Sequence, residues 1–493
     1  MQLSSIYVGL SCTHYFLFVT HHYLYEFQTR LHLEREAKLT PKQIEALESH
    51  LQAMWEARPA AERAGNEKKL SSKQGFLKFY RNGEIKACNY VGVIRCGEVT
   101  FHLLPKVFAP LEATSYPPTE AHLQLIQANL YWWLSFMPRL HFPRNLSSFE
   151  DVPTDFFEVL ILLFAQHTHD LLSRSYYQHY QEVAEETGFL RGRLNLSAYT
   201  TNYATGRAHH LPCTFDSFQP DNRFNRILKH VVHRLLHQTG HSLSRRLLHE
   251  IHLLLDEVAD QPASVTDCDA VHLSPIFADY QVTLAYCRLF LDGASPVSTD
   301  STDQDIYALL FPSERLFEGF LEGFIKEHLA EKFTIRSQTK DLYLARVVRP
   351  GASSDGRQFQ LRHDLLLEPI CLAPANLPII LDAKYKELKV ASDGHVKWKS
   401  VDQSDMYQMV SYALRRGSRH AVLLYPDSYS TPANSPDVNC IDYHVDQTLN
   451  RTSIHLAACR LPVLCLSVAE LGFEEAFSRQ QQTLIARLHT LFP

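Results

Sequence analysis

The chain lacks several features that would place a protein quickly. Its ten cysteines include no CxxC pair, which argues against a zinc site or a disulfide framework and predicts reduced thiols in a cytoplasmic protein. It has no GxxxxGK[ST] loop, so any nucleoside triphosphate must be hydrolysed elsewhere. No apolar run approaches the roughly 18 residues that span a bilayer. The first 20 residues are apolar but carry no basic stretch of a secretory leader; they read as an extension of unknown role, with the working chain beginning near Tyr25-Glu26-Phe27. Positive charge is also scarce. The formal net charge is −6 over 493 residues, so a nucleic-acid role needs a local basic groove or a partner that holds the nucleic acid. Internal repeats are absent.

What is present reads as a globular chain of several domains. Composition is 45% hydrophobic and 21% charged, enough to bury real cores, and one core rarely grows beyond about 250–300 residues. Thr40-Pro41-Lys42-Gln43 predicts a capped helix start, followed by Ile44, Leu47, Leu51 and Trp55 at helical spacing. A polar loop is expected over 57–74. Strand-like runs flank Asn82-Gly83, a strong hairpin signal. Residues 120–300 read as mainly helical. A linker rich in Ser, Thr and Asp over 292–305 predicts a boundary. The expected division is an extension 1–20, a β-rich domain 21–119, a helical region 120–300 and a C-terminal domain 301–493. The fold class is α+β or α/β, multidomain.

Beyond the linker the order is helix (SERLFEGFLEGFIKEHL), strand (342–348), turn (RPGASSDGR), strand (FQLRHDLLLE), strand (LPIILDAKYK), helix (405–416) and strand (420–426). This α-β-β-β-α-β series carries the chemistry. Alternation along a strand points Asp382 and Lys384 the same way. Asp364 lies on the preceding strand, joined through a turn with Pro369, Pro374 and Pro378. Two carboxylates on adjacent strands bind a hard divalent ion, and the Ala383 carbonyl offers a further oxygen. Such an ion lowers the pKa of water and neutralises charge developing on a phosphate; Lys384 would orient the water or stabilise the transition state. Gln408 and Tyr412, spaced i, i+4, share one helix face and can bind phosphate or hold the lysine. Glu318 on the first helix is a candidate third carboxylate, with Glu322 its rival. A lone D-x-K on a strand is more often an ordinary ion pair. Here the preceding Ile379-Ile380-Leu381 predicts a buried strand, where charges need partners.

Other motifs favour plainer readings. His230, His233, His237 and His241, followed by His249 and His252, have no HExxH or Cys companion and read as a partly basic helix face. Asp221-Asn222 and Asn225-Arg226 read as helix capping, or else as a docking surface with Arg191, Arg193 and Arg207.

Together these motifs resemble the McrC family, the nuclease subunit of McrBC-type modification-dependent (type IV) restriction systems, within the PD-(D/E)xK superfamily. NYVGVI with LLPKV (89–94, 103–107) is similar to its N-terminal signature, LRGRLNL (190–196) with CTFDSFQPDNRFNRILK (213–229) to its central one, and LFE, HD, LDAKYK and DMYQMVSYA to its nuclease core. The resemblance implies a Mg2+-dependent endonuclease, with Mn2+ as a substitute, whose metal set is Asp364, Asp382 and Ala383 and whose catalytic lysine is Lys384. Glu318 matches the acidic position of the first helix, and Gln408 and Tyr412 a Q-x-x-x-Y element. His363 stands where the motif usually has proline. The resemblance further implies a GTP-hydrolysing AAA+ partner hexamer that the N-terminal part docks on and stimulates, and double-stranded DNA carrying methylcytosine as substrate. The alternatives are a non-cleaving activation module and a nuclease of another defence or repair pathway.

Overall fold

The computed structural model describes residues 20–57, 74–110, 117–137, 156–273, 277–292, 306–347, 356–370, 377–388, 400–430, 440–446 and 453–491. The expected extension before residue 20, the loop after Ala57, the linker over 293–305, the turn over 348–355 and most of the proline-bearing turn lie outside the described residues.

The first part is β-rich. Strands β1 (Thr20–Tyr25) and β2 (Arg30–His32) precede helix α1 (Pro41–Ala57), and β3 (Leu77–Phe79), β4 (Glu84–Ala87), β5 (Tyr90–Cys96) and β6 (Val99–Leu104) follow. The expected capping box closes α1: Thr40 N–H donates to Gln43 Oε1 at 2.8 Å, and Gln43 N–H to Thr40 Oγ1 at 3.3 Å. Asn82-Gly83 turns β3 into β4, with Gly83 in the left-handed region at φ 81°. The strand-like run that follows Asn82-Gly83, IKACNYVGVI, is two strands, and they belong to different sheets. β4 joins β2 and β3, whereas β5 joins β1 and β6.

The middle part is mainly helical, as expected, but not wholly so. Helices α2 (Glu120–Ser135) and α3 (Phe156–Arg174) lead into β7 (His179–Thr187), β8 (Arg193–Leu194), α4 (Leu196–Ala204) and β9 (Leu211–Gln219). These strands form a separate three-stranded sheet, ordered β7-β9-β8. Its polar run QEVAEET lacks the apolar alternation that marks a half-buried strand, so periodicity did not reveal it. Then come α5 (Arg223–Gln238), α6 (Ser242–Leu254), α7 (Val265–Asp269) and α8 (Ala278–Asp292). Asn222 caps α5 by accepting from Asn225 N–H at 3.0 Å, and Arg226 donates two 2.7 Å hydrogen bonds to Asp221. The capping reading of this motif therefore stands, and Arg226 is occupied within the chain.

The last part begins with β10 (Ile306–Pro312), which pairs antiparallel with β5. A strand that follows the linker thus completes the N-terminal sheet, ordered β1-β6-β5-β10. Gly92 permits this closeness: a Cβ there would lie 2.0 Å from the Leu309 carbonyl oxygen, at φ 138°. Helix α9 (Ser313–Leu329) is followed by β11 (Phe333–Val347), β12 (Gly356–Pro369), β13 (Ile379–Ala383), α10 (Gln403–Arg416), β14 (His420–Pro426), β15 (Cys440–Asp446), β16 (Ser453–Leu461), α11 (Val468–Leu471) and α12 (Phe473–Leu491). The sheet order is β11-β12-β13-β14-β16-β15. Pairing is antiparallel from β11 to β13 and parallel from β13 through β14 to β16.

Two apolar layers enclose this sheet. Phe317, Phe320 and Phe324 of α9 pack with Trp132 and Trp133 of α2 and with Leu365, Leu381 and Leu424. On the other face Met409, Tyr412 and Ala413 of α10 cover Leu366, Ile380 and Leu423. The reading of uniformly reduced cysteines needs correction. Cys440 and Cys459 are direct partners in the β15–β16 register and form a disulfide; cross-strand neighbours 19 residues apart leave no spacing signature. Among the described residues no helix is long and apolar enough to cross a membrane.

Candidate active site

The site forms where β12 and β13 part. β13 pairs with β12 over Leu365–Leu381 to Leu367–Ile379. One step further, that register sets Asp364 opposite Asp382. The backbone N–H of Ala383 donates to Asp364 Oδ2 at 3.1 Å, tying the two strands at this point. Lys384 follows β13 directly, its N–H donating to the Leu424 carbonyl of β14 at 2.8 Å. Its ammonium reaches back to Asp382 Oδ2 at 2.6 Å. Asp382 is 2% exposed, and its Oδ2 accepts no hydrogen bond of good angular geometry.

Helix α10 fixes these groups from one side. Gln408 Oε1 accepts from Lys384 Nζ at 3.2 Å, while its Nε2 faces Asp382 Oδ1 at 3.5 Å and Tyr412 Oη at 2.7 Å. One amide therefore spans the acid, the lysine and the phenol. Tyr412 is backed by the ring of His363 at 4.6 Å, and His363 meets Thr339 Oγ1 through Nδ1 at 3.1 Å. From the other side α9 presents Glu318. Its rival Glu322 is spent on Lys326 at 2.6 Å.

Electrostatics single out the same set. Burial, then repulsion from Glu314 and Asp382, pushes Glu318 up to about 7. Asp364 is driven well above the usual carboxylate range by burial first, then by Asp382 and Glu318. Burial also raises Asp382, although Lys384 opposes it. For Lys384 burial favours the neutral amine, but Asp382, Asp405 and Asp364 outweigh it and the pKa rises. Carboxyl groups in this state are under-compensated, as they would be where a cation completes the charge balance.

The structure thus joins five of the six side chains the sequence singles out, Asp364, Asp382, Lys384, Gln408 and Tyr412, through direct contacts along β12, β13 and α10, whereas Glu318 on α9 reaches them through its charge. Sequence reasoning missed Gln338, which donates to Asp364 Oδ1 at 3.4 Å, and Arg362, which bonds Gln338 and faces Glu318. It also missed Lys386, held by Asp402 and by Asp405 at 2.8 Å. Only the last had a signal, a second lysine two residues beyond the first. Among the described residues no three His, Cys, Asp or Glu side chains converge as a ready-made metal cage. A cation here would be held by Asp364, Asp382 and the Ala383 carbonyl, an oxygen-only set that suits Mg2+ and leaves it several waters. The histidines of α5 and α6 form no such group either.

Residues 85–426, well over half of the chain, match the family model of McrBC 5-methylcytosine restriction system components. The chain belongs to this McrBC family. Its fold is similar to that of a chain in the refined half-complex from the tetradecameric assembly of Thermococcus gammatolerans McrB AAA+ hexamers with bound McrC. That match has a TM-score of 0.65 at 18% identity and covers 96% of this chain and 100% of the other. A chain in the cryo-EM structure of the Thermococcus gammatolerans McrBC complex is less alike, with a TM-score of 0.49 at 22% identity over 63% of this chain and 88% of that one. No curated protein matches the sequence. The McrBC match ends at the last residue of β14, so it takes in the whole candidate site.

Proposed function

We propose that this McrBC-family chain is the cleavage subunit of its system: a Mg2+-dependent DNA endonuclease of the PD-(D/E)xK type, cutting methylcytosine-containing DNA. The observation that carries the reading is the junction of Asp364, Asp382 and Lys384 on adjacent strands, with Gln408 bridging acid and lysine. A divalent cation, when bound, would neutralise charge building on the phosphate and activate water for attack. Asp364 and Asp382 hold the cation's place, and Ala383 N–H orients Asp364. Lys384 keeps a full positive charge beside the scissile phosphate, where a fixed cation favours the more highly charged transition state. Gln408 shares the Lys384 ammonium with Asp382, accepting from it at 3.2 Å beside the 2.6 Å ion pair, and Tyr412 accepts from the same amide at 2.7 Å. Glu318, with a pKa near neutrality, is suited to accept or relay a proton.

We further propose that a GTP-hydrolysing AAA+ hexamer, like the McrB of the similar assembly, delivers the DNA and is stimulated in return. The chain's acidic balance fits delivery by a partner. The docking surface we favour is the Leu211 end of the β7–β9 sheet with α4, which exposes Phe189, Leu190, Leu196 and Tyr203 together with Arg207. Clustered exposed apolar side chains of this size mark interaction surfaces.

The test is cleavage by the assembled complex carrying Asp382→Ala or Lys384→Ala. Cutting should fall by about 10²- to 10³-fold or more, with NTPase stimulation retained. Wild-type cutting in both variants would sink the assignment. Stimulation without cutting by the wild-type complex, in Mg2+ or Mn2+, would favour a non-cleaving activation module.

A further inference from the structure

Glu26 is a buried carboxylate that the proposed chemistry does not use. It lies just past β1, on the N-terminal sheet, and is 0% exposed. Glutamate is almost never fully buried unless paired, and this one is met from three directions. Lys106 N–H donates to its Oε2 at 3.0 Å and Tyr385 Oη donates to the same oxygen at 3.1 Å. Ser313 Oγ donates to Oε1. Lys106 closes the cluster, its ammonium donating to the Tyr385 carbonyl at 2.8 Å and lying 4.6 Å over the Tyr385 ring.

The two arms of this cluster end at the candidate site. Tyr385, 3% exposed, is the residue after Lys384. Ser313 is the first residue of α9, and Glu318 follows it within the next turn and a half. We infer that Glu26 is a positioning residue: through Tyr385 it sets the backbone that carries Lys384, and through Ser313 it sets the helix that carries Glu318. This inference rests on the endonuclease reading. It adds a mechanical link between the N-terminal sheet and the catalytic groups, made by residues that touch neither substrate nor metal. Burial raises the Glu26 pKa while its three hydrogen bonds and Lys106 oppose that rise, so the cluster holds its carboxylate by direct bonds and not by solvent. A buried group held in this way is costly to disturb, since loss of one partner leaves the others unsatisfied.

The variants are Tyr385→Phe, which removes one hydroxyl and keeps the ring, and Glu26→Gln, which keeps the shape and removes the charge. Each is compared with wild type and Asp382→Ala in the full chain assembled with its AAA+ partner. Single-turnover cleavage of a methylated duplex is followed across a Mn2+ titration, beside NTPase stimulation and thermal unfolding. Both variants should cut about 10- to 100-fold more slowly and need more Mn2+, with stimulation and cooperative unfolding preserved. Wild-type cutting in Tyr385→Phe and Glu26→Gln, with cutting lost in Asp382→Ala, overturns the positioning role alone. A fall in cutting matched by an equal fall in stimulation also overturns it, because the cluster would then be general structure. Equal cutting by wild type and Asp382→Ala overturns the endonuclease reading, and the positioning role with it.

Discussion

Asp364, Asp382 and Glu318 feel one another's charge and Lys384 offsets only part of it, which has a measurable signature. All three bind protons more readily in the folded chain than in the unfolded one, burial being the largest cause in each. The stability they contribute is therefore complete below the ordinary carboxylate pKa of about 4 and is lost as pH rises through the raised values, which for Glu318 means about 7. In EDTA at pH 8, Asp364→Asn should melt higher than wild type, by about 1–3 °C, and the gap should close towards pH 5. Mn2+ should raise the wild-type melting temperature and leave Asp364→Asn nearly unmoved. A melting series with and without metal checks both. Asp382 with Lys384, and Gln408 with Tyr412, were legible in the sequence because each pair has a short, fixed spacing, while Asp364 and Glu318 were picked out by the order of the elements that carry them. Glu26 was not, since Tyr385 lies 359 residues away along the chain and such a distance carries no pattern.

Among the elements, β11 and β12 stand out by length. They remain paired as far as Val347–Gly356, whereas β13 accompanies β12 only over Leu365–Leu367. Beyond that point the pair forms a two-stranded ribbon leading away from Asp364. Lys340, Arg357 and Arg362 are exposed along it, as is Phe359, while its acid Asp341 is paired with Arg416. A β-ribbon of this kind fits the major groove, and its charge contrasts with the −6 of the whole chain. Replacing Lys340 and Arg357 by Glu should weaken duplex binding and lower the slope of log affinity against log salt by roughly 0.9 for each phosphate no longer neutralised. Anisotropy titrations at several salt concentrations read that slope; an unchanged value would remove the ribbon from the DNA path. Periodicity places β14 over 420–426, where the structure has it. It starts β11 at 342 rather than 333, because Thr334, Arg336 and Lys340 put polar groups on an exposed side and mask the strand.

Over the whole molecule, one continuous core runs from Val91 and Val93 of β5, through the tryptophans of α2, to Leu381 and Leu424 of the C-terminal sheet. Polar contacts reinforce it: Asn129 exchanges two hydrogen bonds with the Cys465 backbone, at 2.9 and 2.7 Å, and Trp133 Nε1 donates to the Val463 carbonyl at 3.0 Å. A fragment of residues 301–493 alone would uncover Phe317, Phe320 and Phe324, each worth about 1.5–3 kcal/mol of burial, and would leave β10 without its neighbour. It should lack a cooperative thermal transition and be cut rapidly by protease; a sharp transition in that fragment would refute the expectation. The linker signal at 292–305 marks a change in composition, but hydropathy along a chain does not record which sheet a strand will join.

The pairing of β10 with β5 also limits how such proteins can be recombined. A chimera that exchanges the cutting half at the linker carries a foreign β10 into a groove shaped by Gly92, whose missing side chain is matched to the Leu309 carbonyl 2.0 Å from where a Cβ would sit. Moving the crossover to the junction of Pro312 and Ser313 leaves that strand with its native neighbour and transfers α9 and the acids intact. The natural unit of exchange is then set by a shared sheet, one element later than the apparent seam.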